Sequence, residues 1–104
     1  MKEIYCTARF LAKNGFKDNL VNALASLIPE TTNEAGCLQY ELTEEITYSG
    51  SDGVCWDICL IERWYSREDF EAHCNKSYIK HFFDVTAKDY VERADVRLYS
   101  PLSV

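Results

Sequence analysis

The segment from Val54 to His73 constrains the fold more than any other part of the chain. A strand turns successive side chains to opposite faces. From Val54 to Tyr65 one alternate set reads Val54, Trp56, Ile58, Leu60, Glu62, Trp64, and the other reads Cys55, Asp57, Cys59, Ile61, Arg63, Tyr65. Both sets carry apolar groups, which a sheet with one face in water does not need. The pattern predicts a strand covered by helices on one side and by a second subunit on the other. Ser66 follows as an N-cap, with Asp69 three residues on in a variant of the capping box, so a helix carrying Phe70, His73 and Cys74 on one face starts just after Trp64.

A chain of 104 residues supports one domain, residues 1–104, with a single core. A hydrophobic content of 47% excludes a disordered chain. No apolar run nears the ~20 residues of a membrane span, and MKEIYCTARF lacks the apolar core of a signal peptide. The expectation is a cytoplasmic protein away from membranes. A net charge of −6 with no Lys/Arg-rich run argues against nucleic acid. Tyr5 and Tyr65 would face outward from their strands, but no basic-glycine-aromatic RNA motif accompanies them. The five cysteines, Cys6, Cys37, Cys55, Cys59 and Cys74, suit reduced, buried thiols. On a strand Cys55 and Cys59 stand about 13 Å apart, too far for a disulfide or a shared metal. His73 and His81 would lie about 12 Å apart along a continuous helix, so no metal site is expected.

Periodicity supplies the remaining elements. Ile4, Cys6, Ala8 and Phe10 alternate with polar neighbours in a first strand over Glu3 to Ala12, which Asn14-Gly15 breaks. Phe16, Leu20, Ala23, Leu24, Leu27 and Ile28 recur at helical spacing, and Pro29 ends or kinks that helix before about Asn33. Gly36 opens a second strand, Cys37 to Glu44, with Leu38, Tyr40 and Leu42 on one face, and Tyr48 to Gly53 reads as the connection to strand three. Tyr78, Ile79, Phe82, Phe83 and Val85 form a second helical stretch after Asn75-Lys76-Ser77, and Asp95 to Ser100 is the last strand. The order is β-α-β-β-α-β, an α+β, ferredoxin-like arrangement with an antiparallel sheet.

Three stretches carry a resemblance: Ala12-Lys13-Asn14-Gly15, Asn33-Glu34-Ala35-Gly36-Cys37-Leu38-Gln39-Tyr40, and Ile61-Glu62-Arg63-Trp64 followed by Phe70-Glu71-Ala72-His73. In this order and spacing the chain resembles the antibiotic biosynthesis monooxygenase domain, a group of dimeric α/β barrel proteins. The resemblance implies a homodimer of two ferredoxin-like sheets packed face to face. Some members oxygenate quinols or polyphenols with neither metal nor flavin, and others degrade haem, isomerise small phosphorylated metabolites or have no known reaction, so fold alone does not choose. The haem-degrading branch carries a strand-one asparagine and a proximal histidine, where this chain has Thr7, Arg9 and Phe83.

Within that frame His73 is the candidate base, because imidazole exchanges a proton near neutral pH. Glu62 is a second proton acceptor if buried. Trp64, with Phe70, suits the wall of a pocket for an aromatic ring. Tyr40 and Asn33 would place a phenol and an amide at the cavity mouth, against plainer roles in the core and at a helix C-terminus. The reading is a cofactor-independent monooxygenase of a small quinol or polyphenol, taking molecular oxygen and the aromatic substrate as its partners. Its rivals are an oxygen-independent isomerase of a small hydroxy-ketone and a dimer that only binds a small ligand. No nucleophile elbow, dinucleotide glycine motif or P-loop is present.

Overall fold

The computed structural model describes residues 2–104. Its elements are β1 (Ile4–Ala12), α1 (Lys17–Ala25), α2 (Ile28–Thr32), β2 (Cys37–Thr43), β3 (Ile58–Trp64), α3 (Arg67–Cys74), α4 (Ser77–His81), a π-helical turn (Phe82–Thr86), α5 (Ala87–Tyr90) and β4 (Val91–Tyr99). The sheet runs β2-β3-β1-β4 with every neighbour antiparallel, the ferredoxin-like order. Ile4, Cys6, Ala8 and Phe10 of β1 and Ile58, Leu60 and Trp64 of β3 are buried against Leu20, Leu24, Leu27, Phe70, Ile79 and Phe82. The helices therefore cover one face of the sheet, and the alternation expected for β1 and β3 has the right phase.

The first helical stretch breaks in two at Ser26-Leu27. Pro29 has no N–H to donate, and it sits in the first turn of α2, where none is needed. Gly36, at φ 79°, makes the turn into β2. Ser66 caps α3 as expected, its hydroxyl accepting from Asp69 N–H at 3.2 Å.

Three expectations are corrected. Strand three starts at Ile58 rather than Val54, because Asp57 leaves the ladder: its carboxylate accepts from Ala12 N–H at 2.9 Å, and its own N–H donates to Phe10 O. The chain ahead of it is irregular, so Trp56 loses its place in the alternation. Trp56 is buried beneath the guanidinium groups of Arg9 and Arg93, 4.8 and 5.2 Å from its ring, on the opposite sheet face. Secondly, Leu38 does not share a face with Tyr40. The β2–β3 register slips between Cys37 and Gln39, a bulge that leaves Leu38 exposed. Thirdly, only Cys6 is fully buried, and Cys55 and Cys74 are exposed, Cys55 because it falls in the irregular segment before β3. All five thiols are free.

The outer sheet face carries Tyr5, Thr7, Cys59, Ile61 and Tyr99 among Arg9, Arg63, Asp95 and Arg97. Arg9 and Arg97 both pair with the Asp95 carboxylate, and Arg63 pairs with Glu3 at 2.6 Å. Among the described residues no helix is long and apolar enough to cross a membrane.

Candidate active site

Between the sheet and the helices lies a small cavity of about 50 Å³. Its walls are mainly apolar, with Ala8, Phe10, Leu60, Phe70, Ile79 and Phe82 among them, and Glu62, His73 and Tyr40 are polar residues of the lining. Phe83 and Val96, roughly half exposed, line its outer end. That volume holds a few water molecules.

The sheet sets the polar wall. Tyr40, Glu62 and Cys6 are cross-strand partners in one row over β2, β3 and β1, all turned toward the helices. Glu62 is buried, and its Oε1 accepts the Trp64 indole N–H at 3.0 Å. Loss of water pushes its pKa up from 4.5 to about 7, even though the Trp64 and Cys6 donors favour the carboxylate; the nearby charge of Glu34 adds to the rise. A carboxyl so placed can give or take a proton near neutral pH. Tyr40 is held well above its usual range, by burial first and the Glu62 charge second, and stays a hydrogen-bond donor. The Thr31 hydroxyl, wholly buried, completes no hydrogen bond, although it lies near enough to the Tyr40 and Tyr78 phenols to ease their ionisation.

His73 comes from the inner face of α3. Its ring lies 4.6 Å from Trp64, 5.5 Å from Tyr40 and 6.4 Å from Phe70, centroid to centroid. Burial lowers its pKa below 6.5, and the Glu34 carboxylate works against that fall. Nδ1 lies 3.1 Å from both Glu34 oxygens, and the two side chains are 5% and 7% exposed. The Tyr78 hydroxyl donates to Glu34 Oε2.

Of the residues proposed from sequence, Glu62, His73, Tyr40 and Phe70 line the cavity together. Trp64 stands behind them: fully buried, it touches His73 and Glu62 and is not part of the cavity wall. Asn33 lies elsewhere. It caps the C-terminus of α2, and its Nδ2 donates to Pro29 O at 3.1 Å, in a surface groove with Glu30, Ala35 and Lys76. This is the geometry of a helix C-terminal residue: α2 ends at Thr32, and the Pro29 carbonyl accepts from both the Thr32 hydroxyl and the Asn33 amide. Sequence spacing gives neither Glu34 nor Tyr78 a place beside His73, where the structure puts Glu34 against the ring and Tyr78 against Glu34. Glu34 sits within the run quoted above from Asn33 to Tyr40, but only folding brings it to a histidine 39 residues away.

The model of the family described as antibiotic biosynthesis monooxygenase matches residues 3–85. No match is found among curated proteins. Among solved structures, protein SO0527 from Shewanella oneidensis is 36% identical over 96% of this chain and 91% of its own, with a TM-score of 0.84. PA3566 from Pseudomonas aeruginosa is 22% identical over 99% and 97%, with a TM-score of 0.82. A dimeric protein of unknown function and ferredoxin-like fold from Bacteroides fragilis is 12% identical over 94% and 95%, with a TM-score of 0.72. These last two show the fold alone. The family match spans most of the chain and agrees with the four-stranded sheet that holds the cavity, so the chain belongs to the antibiotic biosynthesis monooxygenase family.

Proposed function

We propose that this protein is a cofactor-independent monooxygenase of a small quinol or polyphenol. One observation carries the reading: a carboxyl and an imidazole, Glu62 and His73, share the wall of an otherwise apolar, buried cavity. His73 removes the phenolic proton, and the electron-rich phenolate gives electrons to O2 at a ring carbon bearing hydrogen. The two join as a hydroperoxide. Loss of water then leaves a quinone carbonyl: one oxygen atom enters the product, while the other leaves as water with the phenolic proton and the ring hydrogen. The substrate supplies every electron. Glu62 hydrogen-bonds the phenol or returns the proton to the departing oxygen, Tyr40 and Phe70 orient the ring, and the apolar walls keep water from the anion.

The working unit in this proposal is a homodimer joined through the outer sheet face, where Tyr5, Ile61 and Tyr99 remain partly exposed. The dimeric description of the Bacteroides fragilis structure supports it.

The test is oxygen uptake against a panel of hydroquinones and polyphenols, with autoxidation and His73→Ala as controls. Uptake above autoxidation that the variant abolishes is the expected result, and uptake unchanged in a folded variant removes His73 as the base. The same pair of groups suits a second reading, a proton shuttle that isomerises a hydroxy-ketone without oxygen; turnover under nitrogen favours it. Binding of aromatic ligands with no turnover in either atmosphere leaves a ligand-binding dimer.

A further inference from the structure

We infer that Glu34 and Tyr78 are positioning residues that fix which nitrogen of His73 faces the cavity. Nδ1 lies 3.1 Å from both oxygens of the Glu34 carboxylate, and the pair is almost wholly buried. A carboxylate only accepts, so the neutral ring must carry its proton on Nδ1 and its lone pair on Nε2. In water a neutral histidine ring exchanges between its two tautomers, whereas here a lone pair on Nδ1 would face the buried carboxylate and be repelled. Tyr78 sets the carboxylate in turn: its hydroxyl donates to Oε2, and burial first, with this bond to the Glu34 carboxylate second, pushes the phenol's pKa up to about 12.

The chain of contacts runs from α4 through the turn before β2 to α3; the two helices are neighbours in sequence, and Glu34 joins them from 39 and 44 residues away. It also separates two spaces. His73 lines the inner cavity, whereas Glu34 and Tyr78 line the surface groove with Lys76. The other groups acting on the His73 ring are Lys76, which disfavours its cation, and the aromatic neighbours Tyr40, Trp64 and Phe70. Glu62 lines the same cavity from β3, and Cys74 follows His73 on α3. Of these, only Glu34 touches Nδ1. The role deepens the oxygenase reading by defining its base as Nε2, yet the geometry stands without that reading.

Nitrogen-15 spectra of the His73 ring at pH 8, in the protein without substrate, test it. Wild type is expected to show a protonated Nδ1 and a bare Nε2. In Glu34→Gln the Tyr78 hydroxyl claims the amide oxygen, so the amide N–H₂ faces Nδ1 and the proton moves to Nε2. In Glu34→Gln/Tyr78→Phe the amide is free to turn its oxygen to Nδ1, and the wild-type tautomer returns. A wild-type ring protonated on Nε2 overturns the proposal even if the variants fail to fold. An unchanged tautomer in folded Glu34→Gln overturns it as well, and failure of the double variant to restore the tautomer removes Tyr78 from the assignment. Should uptake be found, Glu34→Gln lowers kcat about 10²-fold or more with KM little changed, and the double variant recovers part of it. Because the spectra involve neither oxygen nor substrate, a failed oxygen assay leaves this result intact.

Discussion

The Trp64 indole N–H donates to Glu62 Oε1 at 3.0 Å, from two residues further along the same face of the same strand. This buried bond couples a residue behind the cavity to a carboxyl in its wall; it only partly offsets the effect of burial on that carboxyl, and burial gives the site a measurable dependence on pH.

Glu62 titrates at about 7 when folded, against an ordinary value of 4.5. The folded state therefore binds this proton more tightly than the unfolded chain does. The associated stability is fully present below pH 4.5 and is lost as pH rises through about 7. We expect Glu62→Gln to gain on wild type by about 3 kcal/mol between pH 4.5 and pH 8, at ~1.4 kcal/mol per pKa unit. Urea unfolding at the two pH values measures this, and parallel curves would refute it. His73, whose pKa is lowered, acts in the opposite sense, losing stability as pH falls below 6.5, but it cancels in the comparison with the variant.

Replacing Trp64 with Phe removes the indole donor and leaves a void beside His73. The expected cost is about 2–3 kcal/mol at pH 7. The Glu62 pKa should rise further, because a donor to the carboxylate has gone, and carboxyl carbon-13 shifts followed through the titration check it.

Asn33→Ala tests the distinction between a cap and a ligand-binding group. Its Nδ2 holds a backbone carbonyl outside the cavity. We expect a loss of about 0.5–1 kcal/mol in stability with uptake and ligand affinity unchanged. A large loss of affinity at full stability would return Asn33 to the site.

Phe83 stacks edge-on to Phe82 and lies 6.2 Å from Phe10 at the outer end of the cavity. Phe83→Ala should cost about 1–2 kcal/mol, since the ring is 43% exposed. It should also admit larger aromatics, seen as a lower KM or Kd for a two-ring than for a one-ring compound. An unchanged preference would mean that entry lies elsewhere.

At Gly36 the backbone has φ 79°, and an added Cβ would run into the Asp69 side chain. That carboxylate accepts the Ser66 hydroxyl at 3.1 Å at the start of α3. Gly36→Ala should therefore destabilise by about 2 kcal/mol or more, combining left-handed strain with a displaced cap, as thermal unfolding will show. A loss below about 1 kcal/mol would mean that the turn relaxes freely.

The amino-acid sequence alone determined the order of elements, the inward phase of β1 and β3, the cap at Ser66, and the candidacy of Glu62, His73, Tyr40 and Phe70. These follow from local rules, because period-two and helical spacing assign a face to each residue before any partner is known. Where a local rule met a distant contact, the contact prevailed. Asp57 left its strand to serve Ala12, a bulge turned Leu38 outward, and Trp56 crossed to the face of Arg9 and Arg93. The site followed the same division: Asn33 drew attention by its chemistry, while its neighbour Glu34 reaches His73. Only the tertiary structure decided that, because burying a charged carboxylate requires a donor, and the donors that Glu34 found, His73 and Tyr78, lie 39 and 44 residues along the chain.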